Sequence, residues 1–435
     1  MIDLAQLRRE PEFVKAALAR RGVPASTMDE IITLDVRHRM LLQEAERLRF
    51  EVKDLSRQVG DARRAKDAEV ADALTAESRT LGEKERAASD ATEVVARELH
   101  DRLLMIPNVP APDVPDGADE SENVELRRWW LGMDEGTPFP TYAEHQRVAH
   151  WDIGIELGIL DLETGAKIAG SMFPLFRGRG ARLLRALGSF ALDRHLGEYE
   201  EIRPPSFALT ETMMSTGHLP KSSDDMYAIE RDGLWAIPTA EVPLTSMHRG
   251  EILDESALPI RMTAQTACFR REAGAAGRDT RGLLRVHEFD KVELFAYCTP
   301  EQADDAHADV LARAEALLQS LGLTYRVLNL CCGDLGTSSA RTLDLEVFSP
   351  GVDRWLEVSS VSWFRDFQAR RANVRYRTAD GSTALVHTVN GSALAWARIW
   401  AALVETYRQS DGSVLLPDVL APYLGGETRI TSATS

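Results

Sequence analysis

The densest group of residues able to do chemistry lies at positions 269–293, in the segment FRREAGAAGRDTRGLLRVHEFDKVE. Its pattern predicts a strand, a glycine-rich loop and a second strand. Glu272 and Glu293 supply fixed carboxylates. Guanidinium forks suited to phosphate come from five arginines, at Arg270, Arg271, Arg278, Arg281 and Arg285. The segment therefore predicts a phosphate site, and a surface hairpin with charged tips is the alternative interpretation.

Further polar segments lie outside this one. They read IPTAEVPL (237–244), NLCCGDLG (329–336), EVSS (357–360), DFQARR (366–371) and NGSALAWAR (390–398). Taken alone, Glu241 and Glu293 are better explained as ordinary strand-end carboxylates.

Apolar residues over positions 41–99 repeat with the heptad spacing of a coiled coil. They are Leu41, Ala45, Leu48, Val52, Leu55, Val59 and Ala62, followed by Leu74, Leu81, Ala88, Val95 and Leu99. A charged stretch at 60–69 predicts the turn between two antiparallel helices, which form an arm about 45 Å long. Residues 37–66 hold nine basic and five acidic side chains. The excess indicates either a helix that follows RNA phosphates or two solvated faces paired across the hairpin.

The rest of the chain predicts a second domain. The Pro-rich stretch PNVPAPDVP at 107–115 cannot continue a helix and predicts the boundary. Beyond it the patterns predict helices at 181–196 and 301–321 and strands at 200–205, 325–330, 343–348 and 355–360. Strands grouped with helices outside the sheet indicate an α+β fold with a mostly antiparallel sheet. The last eleven residues, GGETRITSATS, predict a loose tail.

Composition excludes several classes of protein. The 435 residues are 44% hydrophobic and 27% charged, which indicates a globular protein rather than a disordered or fibrous chain. Four cysteines without a CxxC pair predict a reduced, cytoplasmic protein with no disulfide framework and no zinc ribbon. No apolar run reaches about 18 residues, so we expect no membrane span. A net charge of −17 means that any nucleic acid must be met by local basic patches.

The chemical segments and their order resemble the seryl-tRNA synthetase family of class II aminoacyl-tRNA synthetases. Residues 269–293 resemble motif 2, residues 237–244 the serine-binding Thr-Ala-Glu loop, and residues 390–398 motif 3. Residues 188–205 lie where motif 1, the dimer-forming helix and strand, belongs. The resemblance extends to about residue 426. It implies a tRNA-binding domain at 1–110 with its arm at about 34–103, a catalytic domain at 111–426 and a flexible tail at 427–435.

The resemblance also implies an activity. The family activates L-serine with ATP and Mg²⁺ to seryl-adenylate and transfers the serine to the 3′ end of serine tRNA. Selenocysteine tRNA is a second substrate where it exists. The family implies a homodimer and no zinc. The arm lies against the long variable arm of the tRNA and recognises its shape and backbone.

Residue roles follow from the same resemblance. Catalytic roles fall to Arg270, Glu357 and Arg398. Serine would be bound by Thr239, Ala240, Glu241, Glu293 and Ser392. ATP would be bound by Arg270, Arg271, Glu272, Phe289, Glu357, Val358, Ser359, Ser360 and Arg398. Glu357 and Ser360 would hold Mg²⁺. The candidates for tRNA contacts are Arg49, Lys53, Arg57, Arg63 and Arg64.

Several positions depart from the family pattern. Motif 3 usually reads NGSGLAVGR, whereas this chain has Ala393, Trp396 and Ala397. Trp363 stands where asparagine is common, and TSSA at 337–340 replaces a usually apolar stretch. Neutral co-drift is one interpretation. The other is a specialised copy that is insensitive to a serine- or seryl-adenylate-mimicking inhibitor or supplies seryl-tRNA to a biosynthetic pathway.

Two rival classes stay open at this point. An amino acid:carrier-protein ligase would lack the long arm and use zinc, and this chain has the arm and no convincing Cys/His cluster. A non-catalytic RNA-binding relative would have lost the arginines that bind ATP, and these are present here.

Overall fold

The computed structural model describes residues 1–134, 136–274 and 279–432. The chain forms two compact units, one of residues 2–106 and one of Met1 with residues 107–435. The predicted loop arginine Arg278 and the last three residues of the predicted tail lie outside the described residues.

The N-terminal unit is helical. Its helices are α1 (Leu4–Arg9), α2 (Pro11–Ala19), α3 (Ala25–Arg64) and α4 (Ala68–Met105). A short turn joins α3 to α4, and the two helices pair along their length. The seam residues Ala45, Leu48, Val95 and Leu99 are buried, as the heptad spacing predicts. The predicted antiparallel two-helix arm is confirmed.

The turn at the tip of the arm is shorter than predicted. The helices continue to Arg64 and resume at Ala68, so only residues 65–67 connect them. Asp67 begins α4, because its side chain accepts a 3.2 Å hydrogen bond from the backbone N–H of Val70. The charged stretch therefore lies mostly on helix, where its side chains are solvated.

The second unit combines helices with sheets. Its helices are α5 (His150–Glu156), α6 (Leu162–Ala169), α7 (Gly178–Asp193), α8 (Thr210–Thr216), α9 (Glu241–Ser246), α10 (Ala303–Ser320), α11 (Phe367–Ala372) and α12 (Trp396–Thr406). Its short 3₁₀ helices are Glu120–Glu122, Glu144–Gln146, Ser223–Asp225, Glu230–Asp232, Glu255–Ala257 and Asp418–Leu424. Its strands are β1 (Val124–Trp129), β2 (Leu160–Asp161), β3 (Leu175–Phe176), β4 (Glu200–Glu201), β5 (Phe207–Leu209), β6 (Ala228–Ile229), β7 (Leu234–Ala236), β8 (Ile252–Asp254), β9 (Ile260–Phe269), β10 (Glu288–Cys298), β11 (Tyr325–Asn329), β12 (Arg341–Ser349), β13 (Arg354–Trp363), β14 (Arg375–Arg377), β15 (Thr383–Leu385), β16 (His387–Ala395), β17 (Val414–Leu415) and β18 (Arg429–Ile430).

One large sheet organises this unit. Eight strands pair in the order β1-β11-β12-β13-β16-β10-β9-β4, and only the β4–β9 pair is parallel. Alternation along β10 places Leu294 and Ala296 in the larger hydrophobic core and Phe295 and Tyr297 in a second core on the opposite face. The predicted α+β class with a mostly antiparallel sheet is confirmed.

Two local expectations are corrected. The strand predicted at 200–205 is limited to Glu200–Glu201, because the prolines that follow cannot donate to a ladder. The predicted loose tail contains β18, which pairs with β17 and buries Ile430. The buried Ile430 side chain and the pairing with β17 hold this part of the polar segment in place.

Candidate active site

The site is built on one face of β10. Alternation directs Phe289, Lys291 and Glu293 to the same face, and β10 pairs on one side with β9 and on the other with β16. A β-bulge between β10 and β16 leaves Ala393 unpaired and sets Glu293 opposite Ser392. Residues predicted from separate segments therefore meet in two adjoining cavities.

The first cavity holds most of the residues predicted for ATP. Its lining includes Arg270, Glu272, Arg285, Phe289, Lys291, Glu357, Val358, Ser392, Ala397 and Arg398. The Arg270 guanidinium carbon lies 5.3 Å from the centroid of the Phe289 ring. Arg285 forms a 2.5 Å ion pair with Glu272. An aromatic face beside convergent guanidinium groups suits a planar base with attached phosphates.

Arg398 is fixed by backbone acceptors. It donates from Nε to the Leu284 carbonyl over 3.2 Å and from Nη1 to the Glu357 carbonyl over 2.8 Å. Its Nη1 also lies 3.9 Å from the Glu357 carboxylate. These contacts hold the guanidinium at the cavity wall before any ligand arrives.

A second β-bulge brings Glu357 and Ser360 to the same face of the sheet. Residues three apart point to opposite faces of a regular strand. Here Glu357 pairs with Glu346 and Ser360 with Asp344, and the register shifts between them, so both side chains line the second cavity, described next. Burial and the nearby Glu357 raise the pKa of Asp344 well above its usual value, while Ser360, opposite it on the neighbouring strand, acts in the other direction.

The second cavity holds the residues predicted for serine. Thr239, Glu241, Glu293 and Ser392 line it, and Lys291 joins them. Thr239 Oγ1 donates to Glu293 Oε2 over 2.9 Å. Lys291 donates to Thr239 Oγ1 over 2.9 Å and contacts the Glu293 carboxylate directly. The result is a nearly dry ion pair whose side chains are 7% and 2% exposed.

Glu241 is held by an ordered amide. Thr388 Oγ1 donates to Gln368 Oε1, which directs Gln368 Nε2 to Glu241 Oε1, with both bonds at 2.6 Å. Burial, together with the nearby Glu293, raises the pKa of Glu241 to about 7. The Gln368 hydrogen bond and the Lys291 charge act in the opposite direction. The carboxylate is therefore poised to ionise when a cation arrives.

Three predicted residues are placed differently from the others. Ser359 points away from both cavities and donates to the Ser392 carbonyl over 2.6 Å. Arg271 binds the Asp225 carbonyl through its backbone N–H, and its side chain lines neither cavity. Ala240 is fully buried and lines neither cavity. Their roles in binding ATP or serine stay predictions.

The unusual tryptophans point away from both cavities. A Cβ at position 188 would lie 2.2 Å from Trp396 Cζ2, so the indole occupies space that Gly188 leaves open on α7. The guanidinium carbons of Arg341 and Arg365 lie 5.1 and 5.3 Å from the centroid of the Trp363 ring. Trp396 is thus accommodated by a glycine opposite it rather than by a reshaped serine pocket. Residues 337–339, by contrast, do line the second cavity.

Sequence reasoning missed Lys291, Gln368 and His218, which also lines the second cavity. Lys291 had a usable signal, because it precedes Glu293 by two residues and must share its face of a strand. Gln368 lies in the segment DFQARR, which the sequence singled out, but no pattern links it to Glu241, 127 residues away. Burial and the surrounding cations, led by Arg270, lower the pKa of His218 to about 4.

The basic residues of the arm differ in their pairing. Arg49 pairs with Glu85 across the hairpin at 3.1 Å, and Arg57 and Arg64 pair with aspartates on their own helix. Within the described part of the chain, no ion pair involves Lys53 or Arg63. These two side chains are exposed and available to phosphate.

The described residues contain no helix long and apolar enough to cross a membrane. They also contain no cluster of three or more His, Cys, Asp or Glu side chains arranged to hold a metal ion.

Comparisons with known proteins agree with this geometry. The family described as seryl-tRNA synthetase N-terminal domain matches residues 1–110. The family described as tRNA synthetase class II core domain (G, H, P, S and T) matches residues 227–407. Together these two matches span more than half of the chain.

Individual relatives match over the full length. A serine–tRNA ligase of Nitratidesulfovibrio vulgaris is 47% identical, covering 99% of this chain and 100% of the relative. Another, of Sinorhizobium medicae, is 46% identical with both chains fully covered. The crystal structure of seryl-tRNA synthetase from Pyrococcus horikoshii complexed with ATP has a TM-score of 0.90 and 35% identity, with 100% of each chain covered. This chain therefore belongs to the seryl-tRNA synthetase family.

Proposed function

We propose that this chain is a serine–tRNA ligase that uses ATP to form seryl-adenylate and then charges serine tRNA. The main support is the pair of adjoining cavities. One has an aromatic face and guanidinium groups, and the other has the carboxylates of Glu241 and Glu293 together with Lys291. Ser392 and Glu357 line both, so a nucleotide and an amino acid bound side by side would meet at this boundary.

ATP would enter the first cavity with its adenine on Phe289 and its α-phosphate against Arg270. Arg270 would hold the phosphorus in line with the serine carboxylate and stabilise the negative charge that grows as pyrophosphate leaves. Glu272 would accept from the adenine amino group, and Arg398 would cover the other face of the ring or contact the γ-phosphate. No protein nucleophile is required.

Serine would enter the second cavity. Thr239 and Glu241 would lie on the ammonium side, and Glu293 and Ser392 would meet the ammonium and the hydroxyl. Glycine and alanine lack the hydroxyl and would leave buried polar groups unpaired, which can reject an analogue by about 10⁴. Ionised Glu241 is the form that binds the ammonium.

Magnesium fits the residues present. Glu357 and Ser360 offer hard oxygen ligands on one face, with Asp344 opposite Ser360 on the neighbouring strand. When bound, the ion would neutralise charge on the phosphates. Two protein ligands are few, as expected for magnesium carried largely by phosphate oxygens and water.

The arm would bind the tRNA through Lys53 and Arg63, which form no ion pair with any described acidic residue, with Arg49, Arg57 and Arg64 as further candidates. Phosphate contacts of this kind follow the backbone without reading the base sequence. Homodimerisation through the motif 1 segment, a cytoplasmic location and the absence of zinc stay predictions of the family resemblance.

The presence of the arm disfavours the carrier-ligase alternative, and the presence of Arg270 and Arg398 disfavours a non-catalytic role. The placement of Trp396 against Gly188 supports neutral co-drift at that position, since the indole reaches neither cavity. Of the departures from the family pattern, residues 337–339 line the second cavity, so a copy insensitive to a seryl-adenylate mimic would differ there.

Serine-dependent ATP–pyrophosphate exchange tests the proposal, with threonine, alanine, glycine and cysteine as competitors. We expect strong preference for serine and loss of exchange in Glu293→Gln, which removes the charge that Lys291 neutralises. Exchange supported equally by alanine or threonine would contradict the assignment of the second cavity.

A further inference from the structure

A fully buried carboxylate lies at the end of α12, outside both cavities. Glu405 Oε1 accepts hydrogen bonds from His150 Nδ1 at 2.8 Å and from the His150 backbone N–H at 2.9 Å. Glu405 Oε2 accepts from the Gly351 N–H at 3.0 Å and from the Ser349 hydroxyl. Four donors from three residues, in two separate segments of the chain, therefore fix this side chain, and neither Glu405 nor His150 is exposed.

The His150 ring connects this carboxylate to the end of the glycine-rich loop. The Leu283 backbone N–H donates to His150 Nε2 over 2.9 Å. Because an amide N–H can only donate, Nε2 must be the unprotonated acceptor, and the ring proton must be on Nδ1, facing Glu405. The carboxylate thus selects the tautomer that lets the ring bind Leu283.

The chain approaches this ring as closely as glycine permits. Gly282 has φ +59°, and a Cβ there would lie 2.5 Å from His150 Nε2 and 2.5 Å from Trp151 Cε3. Next to it, the Arg281 guanidinium lies 5.0 Å from the centroid of the Trp151 ring. The loop end is therefore held against the start of α5 by three successive residues.

The residues just after Leu283 line the first cavity, which is the one proposed to bind ATP. The Leu284 carbonyl accepts from Arg398 Nε, and Arg285 pairs with Glu272. Leu283, Leu284 and Arg285 all line that cavity. Any displacement of Leu283 would therefore move groups bonded to Arg398 and Glu272.

We propose that His150, oriented by Glu405, is a positioning residue for ATP. The His150 ring anchors the end of the glycine-rich loop through the Leu283 amide and so places Arg398 and Glu272. The inference rests on the proposed ATP-binding role of the first cavity. His150 itself lines neither cavity and touches no substrate.

Two substitutions at position 150 distinguish the hydrogen bond to Glu405 from the hydrogen bond to the Leu283 amide. His150→Asn places an amide near the Nδ1 position, keeping a donor to Glu405 while leaving the Leu283 N–H without an acceptor. His150→Gln places its oxygen near the Nε2 position, restoring an acceptor for Leu283. An unpaired buried amide costs enough to raise KM for ATP about 5- to 150-fold if the whole loss appears in binding.

The assay is pyrophosphate exchange by the full chain, with KM measured separately for ATP and serine. We expect His150→Asn to raise KM for ATP selectively and His150→Gln to restore most of the loss. Equal changes in both KM values, an unchanged KM for ATP, or no difference between the two variants would overturn the inference. Absence of exchange in the unmodified chain would instead refute the proposed function.

Hydrogen exchange at the Leu283 amide supplies a test that does not depend on activity or on the variants folding. In the unmodified chain without ATP, the amide should already exchange slowly, because its acceptor is preformed. Rapid exchange of this amide would overturn the inference. In a folded His150→Asn variant the same amide should exchange faster than in His150→Gln, and equal rates would contradict the anchor.

Discussion

Replacing Gln368 by methionine tests the electrostatics of the serine cavity. The substitution keeps a side chain of similar length but removes the amide that donates to Glu241 over 2.6 Å. A hydrogen bond to a charged group contributes about 1.5–3 kcal/mol. Converted to affinity, its loss should raise KM for serine about 10- to 150-fold. KM for ATP should not change, because Gln368 does not line the nucleotide cavity.

The pH dependence of kcat/KM for serine gives a second test of the same contact. The pKa of Glu241 is raised to about 7, so kcat/KM for serine in the unmodified chain should fall as the pH drops below about 7 and the carboxylate becomes neutral. The amide of Gln368 lowers this pKa, so Gln368→Met should move the fall to higher pH.

Thr388→Val is the matched control for this prediction. It removes the bond that orients the amide but leaves the amide itself, so a smaller increase in KM for serine is expected. The reasoning is refuted if Gln368→Met leaves KM for serine and the pH profile unchanged in a folded protein, or if KM for ATP rises by the same factor.

Three other perturbations have defined outcomes. Lys291→Met should lower the free energy of unfolding by about 3–5 kcal/mol in denaturant titration, because it leaves the Glu293 carboxylate buried without its partner; an unchanged stability would contradict the dry ion pair. Trp396→Ala should cost about 3–5 kcal/mol of stability and leave KM for serine unchanged, since the indole packs on α7; a change of amino-acid preference would show that it shapes the pocket. Lys53→Glu should weaken tRNA charging and reduce its salt dependence without affecting pyrophosphate exchange. The matched control Arg79→Glu, on the other helix of the arm, should change neither the charging nor its salt dependence. Equal loss of charging in both variants would argue against a tRNA-binding face on α3.

Local patterns were sufficient for much of the fold. The heptad spacing predicted the two arm helices because burial in a hairpin repeats every few residues along the chain. The same logic failed at the tip, where charged residues occupy solvated helix and a capping aspartate defines the start of α4.

The site was predicted less completely, for a geometric reason. Glu357 and Ser360 face one cavity only because of a β-bulge, which no periodicity reveals. The bond from Gln368 to Glu241 joins residues far apart in sequence, and the pairing of Trp396 with Gly188 likewise depends on tertiary packing. Residue types and order indicated the chemistry, whereas the contacts that orient the side chains required the folded chain.

The most direct test of the central claim is aminoacylation of serine tRNA by the intact chain, measured as acid-precipitable labelled serine with ATP and Mg²⁺ present. The proposed function predicts serine attached to the 3′-terminal adenosine of that tRNA, with alanine and glycine not attached. Formation of seryl-adenylate without transfer to the tRNA, or attachment of another amino acid in preference to serine, would contradict it.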